Sequence, residues 1–221
     1  MDNLNQVFTK AIQGYHMTTT TPISETLWED INALILKYNG YEIYSTSSGS
    51  HLSGMDINSS FGRLSNKSSK YSKNKKFIDI SSYRLTTVCS EKNVGDPTDI
   101  IEEINKRKNF DYYSIIIREE KEEDIMYDWL LIPSNHNIVN PSYYEWEPTI
   151  GKKGKNKDTQ IGWHTNKKEG CSMSVVFSMS SQLWIHIEMT EETKTFIVAS
   201  TKLTNKPKYN YIELTELSTN L

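Results

Sequence analysis

A chain of 221 residues with 36% hydrophobic and 11% aromatic content carries enough apolar side chains to fill one large globular core, or a core with an appended lobe. It has no apolar run near the ~18 residues of a membrane span and no charged start leading into an apolar stretch, so a cytoplasmic protein without a signal peptide is expected. The net charge of −3 says nothing for a nucleic-acid partner by itself, while Cys89, Cys171 and five scattered histidines lack metal-ligand spacing and point to a reducing compartment without structural zinc.

In chain order, Met1 to Thr21 is weakly patterned and reads as a loose arm or short helix ended by Pro22. Ile23, Leu27, Ile31, Leu34, Ile35 and Tyr38 then recur at helical spacing. Thr26 with Glu29 can form a capping box, Ser24 is a competing cap, and Gly40 stands where the helix would stop. Tyr41 to Ser45 predicts a short strand. Partial alternation through Arg63–Lys67, and clearer alternation through Phe77–Ile80, predicts two more, with turn signals at residues 58–60 and 72–74. Asp96 and Pro97 open the best-marked helix, with Asp99 in its first turn and Lys106, Arg107 and Lys108 in its last. Tyr112–Ile117 and Tyr127–Ile132 read as buried strands separated by an acidic turn.

A strand, helix, strand passage suits a crossover connection, so the fold class expected is mixed α/β: a central mixed sheet flanked by helices. Beyond Pro133 the texture changes to a loop, an aromatic patch at Tyr143–Trp146 and a Lys/Gly/Asn-rich insertion at Thr149–Asn166. Strands return at Met173–Phe177, Leu183–Glu188 and Thr195–Ala199. Residues 1–133 are expected to form a core with an N-terminal arm, and residues 134–221 a β-rich extension packed on it as part of one compact domain.

The chemistry-bearing stretch is Ser50–Thr87. Asp56 follows Ser53 and Gly54, and Phe61–Lys76 then carries Arg63, Lys67, Lys70, Lys73, Lys75 and Lys76 with no acid. Period two puts Ser65 and Lys67 on one face. If the strands holding Asp56 and Lys67 pair, a carboxylate and an ammonium converge. The carboxylate can then hold a divalent metal such as Mg2+ against a phosphate, and the lysine can position water or offset charge. The plainer alternatives are a turn whose Asp bonds its own backbone and a solvated, lysine-protected edge strand. The cationic run Lys152, Lys153, Lys155 and Lys157, with Gln160, Trp163 and His164 beside it, is either a surface loop or a contact to duplex DNA. Arg84 is either a phosphate or base contact or a surface ion pair.

The order of helix, Asp56 on one strand, Ser65-Asn66-Lys67 on the next, crossover helix and buried strand resembles the PD-(D/E)xK nucleases, and within them the small type II restriction endonucleases, over roughly Ser24 to Ile132. The resemblance implies a restriction-endonuclease-like core and magnesium-dependent, sequence-specific hydrolysis of double-stranded DNA. It makes Asp56 the metal carboxylate, Lys67 the group that orients the nucleophile, and Ser65 the occupant of the variable acidic position. Arg84 and the Lys152–His164 region would clamp and read the duplex, and a palindromic target would require a homodimer. Met55 stands in place of proline. Serine at position 65 implies either an acid recruited from Glu25, Glu29, Glu42 or Asp79 or a site that manages with a polar group there. The competing reading is a non-catalytic α/β module that binds nucleic acid, with Ser65 marking a degenerate site.

Overall fold

The structure, a computed structural model, describes residues 2–46, 54–72, 74, 76–204 and 206–219. His51, Ser53, Lys73 and Lys75 of the sequence reading lie outside the described residues. In chain order the elements are α1 (Asp2–His16), α2 (Glu25–Tyr38), β1 (Ile43–Thr46), β2 (Ile57–Ser59), β3 (Gly62–Lys70), β4 (Phe77–Arg84) and α3 (Pro97–Arg107). They continue with β5 (Tyr112–Glu120), β6 (Asp124–Pro133), β7 (Trp146–Ile150), β8 (Gln160–Thr165), β9 (Cys171–Val176), β10 (Gln182–Glu188), α4 (Glu191–Lys194), β11 (Ile197–Thr204) and α5 (Tyr211–Thr219).

The strands form two sheets. The first runs β1-β2-β3-β5-β6-β11 and the second β4-β10-β9-β8-β7. In the first, β3 and β5 are parallel and every other pairing is antiparallel, so the central sheet is mixed as expected. The strands do not divide at residue 133. β4, from the first part of the chain, is an edge of the second sheet, whereas β11 returns from the far end to close the first. Most of the expected insertion at 149–166 is the β7–β8 hairpin, whose lysine-rich tip hides strands that carry few large apolar residues.

Period-two alternation sends β6 residues Tyr127, Trp129 and Leu131 to one face and Leu130 and Ile132 to the other. The first face packs on α1 and α2, and the second forms the core between the two sheets, closed by α3. The segment read as an arm is the four-turn helix α1, held because Phe8 and Ile12, one turn apart, are both fully buried. Helix α2 starts at Ser24, whose hydroxyl accepts the Leu27 N–H, so Ser24 rather than Thr26 is the cap. Asp96 caps α3 by accepting the Thr98 N–H.

A buried polar hub fixes α2 on the sheet. The Ser114 hydroxyl oxygen accepts Trp129 Nε1–H at 2.9 Å and Asn32 Nδ2–H at 2.8 Å, Asn32 Nδ2 also donates to Asn66 Oδ1 at 2.6 Å, and Trp28 Nε1 donates to the Ser114 carbonyl. These bonds set the register of α2 over β3 and β5, and with it where the first turn of α2 points. Cys89 and Cys171 are unpaired and buried, and burial pushes both thiols up to about 11. Among the described residues no helix is long and apolar enough to cross a membrane.

Candidate functional site

The short strand β2 ends where β3 continues, which leaves the β3 edge without a strand partner at Asn66. The backbone of Asp56 still pairs, its N–H donating to the Leu64 carbonyl at 2.8 Å. One step further on, side chains take over the ladder. Asp56 Oδ2 accepts the Asn66 N–H at 2.6 Å, and Lys67 Nζ donates to the Asn66 carbonyl at 2.6 Å. The site is therefore a notch in the sheet edge, lined by two side chains that stand in for the missing strand residue.

Pairing of Ile57 with Leu64 and of Lys67 with Ile115 puts Lys67 on the face that looks toward the second sheet, the face to which Ile115 belongs. Asp56 lies in the bend just before β2 rather than on a strand, yet its side chain and that of Lys67 converge, Lys67 Nζ lying 3.9 Å from Asp56 Oδ2. The first turn of α2 reaches the same notch, and Lys67 Nζ donates to Glu25 Oε1 at 2.8 Å. Of the four acids weighed for recruitment, Glu25 is the one bonded to the lysine. Glu29, one turn further along α2, is near enough for its charge to be felt by the cluster. Glu42 is exposed, with its backbone paired to Ser60, and the Asp79 carboxylate bonds His186 on the second sheet. Ser65 is 2% exposed and lies beside the Asp56 carboxylate, whose charged form it favours.

The side chains of Lys67 and Asp56 are 12% and 16% exposed, against 39% for Glu25, so the lysine and aspartate are largely covered and Glu25 is the member of the cluster most open to solvent. Burial raises the Asp56 carboxyl above its usual range, outweighing Lys67 and the Asn66 N–H, which pull the other way. Burial works against the Lys67 ammonium, but Glu25 and Asp56 more than offset it, and the lysine stays charged. Glu29 is pushed up to about 7, by burial first and then by the negative charges of Asp56 and Glu25. Three carboxylates around one ammonium leave an excess of negative charge.

That excess fits a divalent cation. Mg2+ is commonly held by one or two carboxylates with water and phosphate filling its shell, and Asp56 and Glu25 flank Lys67 as such a pair. Among the described residues no three His, Cys, Asp or Glu side chains cluster closely enough to hold a metal ion.

Two members of the basic field of the sequence pair with acids elsewhere. Arg63 makes a paired contact with Asp111, and Lys70 pairs with Glu120, which leaves Lys67 to face Asp56. Arg84 and the hairpin lysines are placed differently. Arg84 is exposed at the end of β4 without an ion pair among the described residues, and Arg107 Nη1 donates to its carbonyl at 2.8 Å. The Arg107 carbonyl in turn abuts Gly54, where a Cβ would lie 3.0 Å from it, so Arg84 is tied to the approach to Asp56.

Lys152, Lys153, Lys155 and Lys157 are all exposed and free of ion pairs among the described residues, on an ordered β7–β8 tip. Gly151 makes that tip possible, since a Cβ there would sit 2.0 Å from the Asn156 carbonyl. Strand registers put the tip at the same end of the second sheet as Arg84. At ~4.8 Å per strand, β8 stands ~14 Å from β4 across the sheet. Gln160 Nε2 donates to the Gly162 carbonyl, and His164 is exposed on the outer face of the sheet beside Thr149.

No protein-family model, curated protein or solved structure matches the chain.

Proposed function

We propose that the protein is a cytoplasmic, magnesium-dependent endonuclease of the restriction type that hydrolyses phosphodiester bonds of double-stranded DNA, acting as a homodimer on a symmetric site. The observation that carries this reading is the meeting of Asp56, Lys67 and Glu25 at the sheet edge, with Lys67 Nζ at 2.8 Å from the Glu25 carboxylate and 3.9 Å from that of Asp56.

Asp56 and Glu25 would hold the metal. When bound, Mg2+ polarises the phosphate and favours a hydroxide nucleophile. The Lys67 ammonium, kept charged by its two carboxylates, orients the water and offsets negative charge that builds on the phosphate oxygens. Glu29, at about 7, is poised to accept the proton that water loses. The Asn66 N–H holds Asp56 in place, with Ser65 beside it. Arg84 and Lys152, Lys153, Lys155 and Lys157 sit at the same end of the second sheet and supply cations for the DNA backbone, with Gln160 and His164 as base-edge contacts.

The test is incubation of supercoiled and linear DNA with and without Mg2+. Discrete fragments that need the metal and vanish with Asp56→Ala or Lys67→Ala are expected. Retention of DNA without cutting at any metal concentration would replace this reading with that of a binding module.

A further inference from the structure

Outside the notch, the outer face of the second sheet carries three polar side chains in a connected line across β4, β10 and β9. Asp79 Oδ1 and His186 Nδ1 lie 2.7 Å apart, and His186 Nε2 and the Ser174 hydroxyl lie 2.8 Å apart. Strand pairing makes the line: His186 is opposite Asp79 on one side and opposite Ser172 on the other, so Ser174 is its diagonal neighbour on β9. The hydrogen-bond network assigns the tautomer, with Nδ1–H donating to the carboxylate and Nε2 accepting the serine proton. The serine is half-buried and the histidine and aspartate are partly exposed, so a reactant can reach the hydroxyl.

We infer that Asp79, His186 and Ser174 form a second, nucleophilic site that hydrolyses small uncharged acyl esters. A serine hydroxyl is a weak nucleophile until a base takes its proton, and a base held by a carboxylate is the arrangement that activates it, whatever the order of the three along the chain. Trp184 supplies the substrate side. It lies directly across the ladder from Ser174, is 38% exposed, and its indole N–H makes no hydrogen bond among the described residues. The ring gives an apolar platform for an acyl group, and the N–H is a donor for the oxygen on which negative charge develops. The Asp79 carboxylate disfavours anionic esters.

The chemistry balances within the site. Ser174 Oγ bonds to the ester carbonyl carbon while its proton passes to His186 Nε2. The carbon–alkoxide bond then breaks, and the same proton leaves with the alcohol. Water repeats the sequence on the acyl-serine, releasing the carboxylic acid and restoring Ser174 and neutral His186.

The test uses the full chain, a fluorophosphonate probe with peptide mapping, and p-nitrophenyl acetate. Label confined to Ser174 is expected, lost in Ser174→Ala and His186→Ala, retained in Ser172→Ala on the same strand face, and accompanied by ester hydrolysis that falls about 100-fold in His186→Ala. Near-ultraviolet circular dichroism checks that the variants fold. Absence of label on folded wild-type protein, label on another residue, or hydrolysis unchanged by Ser174→Ala would overturn the assignment. Neither readout involves DNA or a metal, so the outcome is independent of the nuclease reading.

Discussion

Replacing Glu29 by glutamine should make the protein more stable at pH 8 and leave its stability at pH 4 almost unchanged. The carboxyl of Glu29 is moved from an ordinary 4.5 to about 7 by burial and by the charges of Asp56 and Glu25. A raised acid binds its proton more tightly in the folded chain than in the unfolded one. Folding stability therefore falls as pH climbs from about 4.5 to about 7 and is flat above that window. At about 1.36 kcal/mol per pH unit the ceiling on this penalty is ~3.4 kcal/mol. Glu29 is only half-buried, and solvent screening brings the expected gain down to about 1 kcal/mol. Urea denaturation of wild type and Glu29→Gln at pH 4, 6 and 8 reads it directly, without the ionic screening that guanidinium adds. A gain of the same size at pH 4 and pH 8, or no gain at pH 8, would refute the claim that negative charge is crowded at the notch.

The same crowding predicts that millimolar Mg2+ raises the melting temperature at pH 8 by a few degrees, and that Asp56→Ala abolishes this rise, as followed by differential scanning fluorimetry. Lys67→Met should cost about 1–2 kcal/mol in urea titrations, since it strands Asp56 beside Glu25 in a pocket that Glu25 keeps partly wet. Ser114→Ala orphans the buried N–H groups of Asn32 and Trp129 and should cost about 2–3 kcal/mol by the same measurement, loosening the helix that carries Glu25. Changing Lys152, Lys153, Lys155 and Lys157 together to Gln should weaken DNA binding. The slope of log affinity against log salt should fall by about 3–4 in fluorescence anisotropy if all four meet phosphates, and a slope that stays put would place the hairpin away from the DNA.

How much of this was legible in the sequence differs by element. The convergence of Asp56 and Lys67 could be read because it depends on local rules alone, antiparallel pairing across a short turn and period-two alternation, although the turn falls at residues 60–61 and the expected 58–60 turn signal lies mostly inside β2. The choice of Glu25 over Glu42 and Asp79 could not, because it depends on how α2 packs across the sheet through Asn32, Ser114 and Asn66, residues 34 to 82 positions apart along the chain. Helix α3 announced itself through Asp96 and Pro97, whereas the pattern of α1 was diluted by Asn3, Asn5, Gln6 and Thr9 around the residues that anchor it. The exchange of β4 into the second sheet and of β11 into the first leaves no local trace, since register across sheets is set by long-range packing. The Asp79, His186 and Ser174 line likewise depends on long-range pairing, its acid and its histidine standing 107 positions apart along the chain.

The most direct test of the notch is a single-turnover cleavage rate on duplex DNA with saturating Mg2+, measured for wild type, Glu25→Ala, Asp56→Ala, Lys67→Ala and the three double variants. If the side chains act as one unit, each single change lowers the rate by at least about 100-fold and the double changes lower it little further. A folded single variant that cuts at the wild-type rate would show that the meeting of these three side chains is an ion-pair network and nothing more.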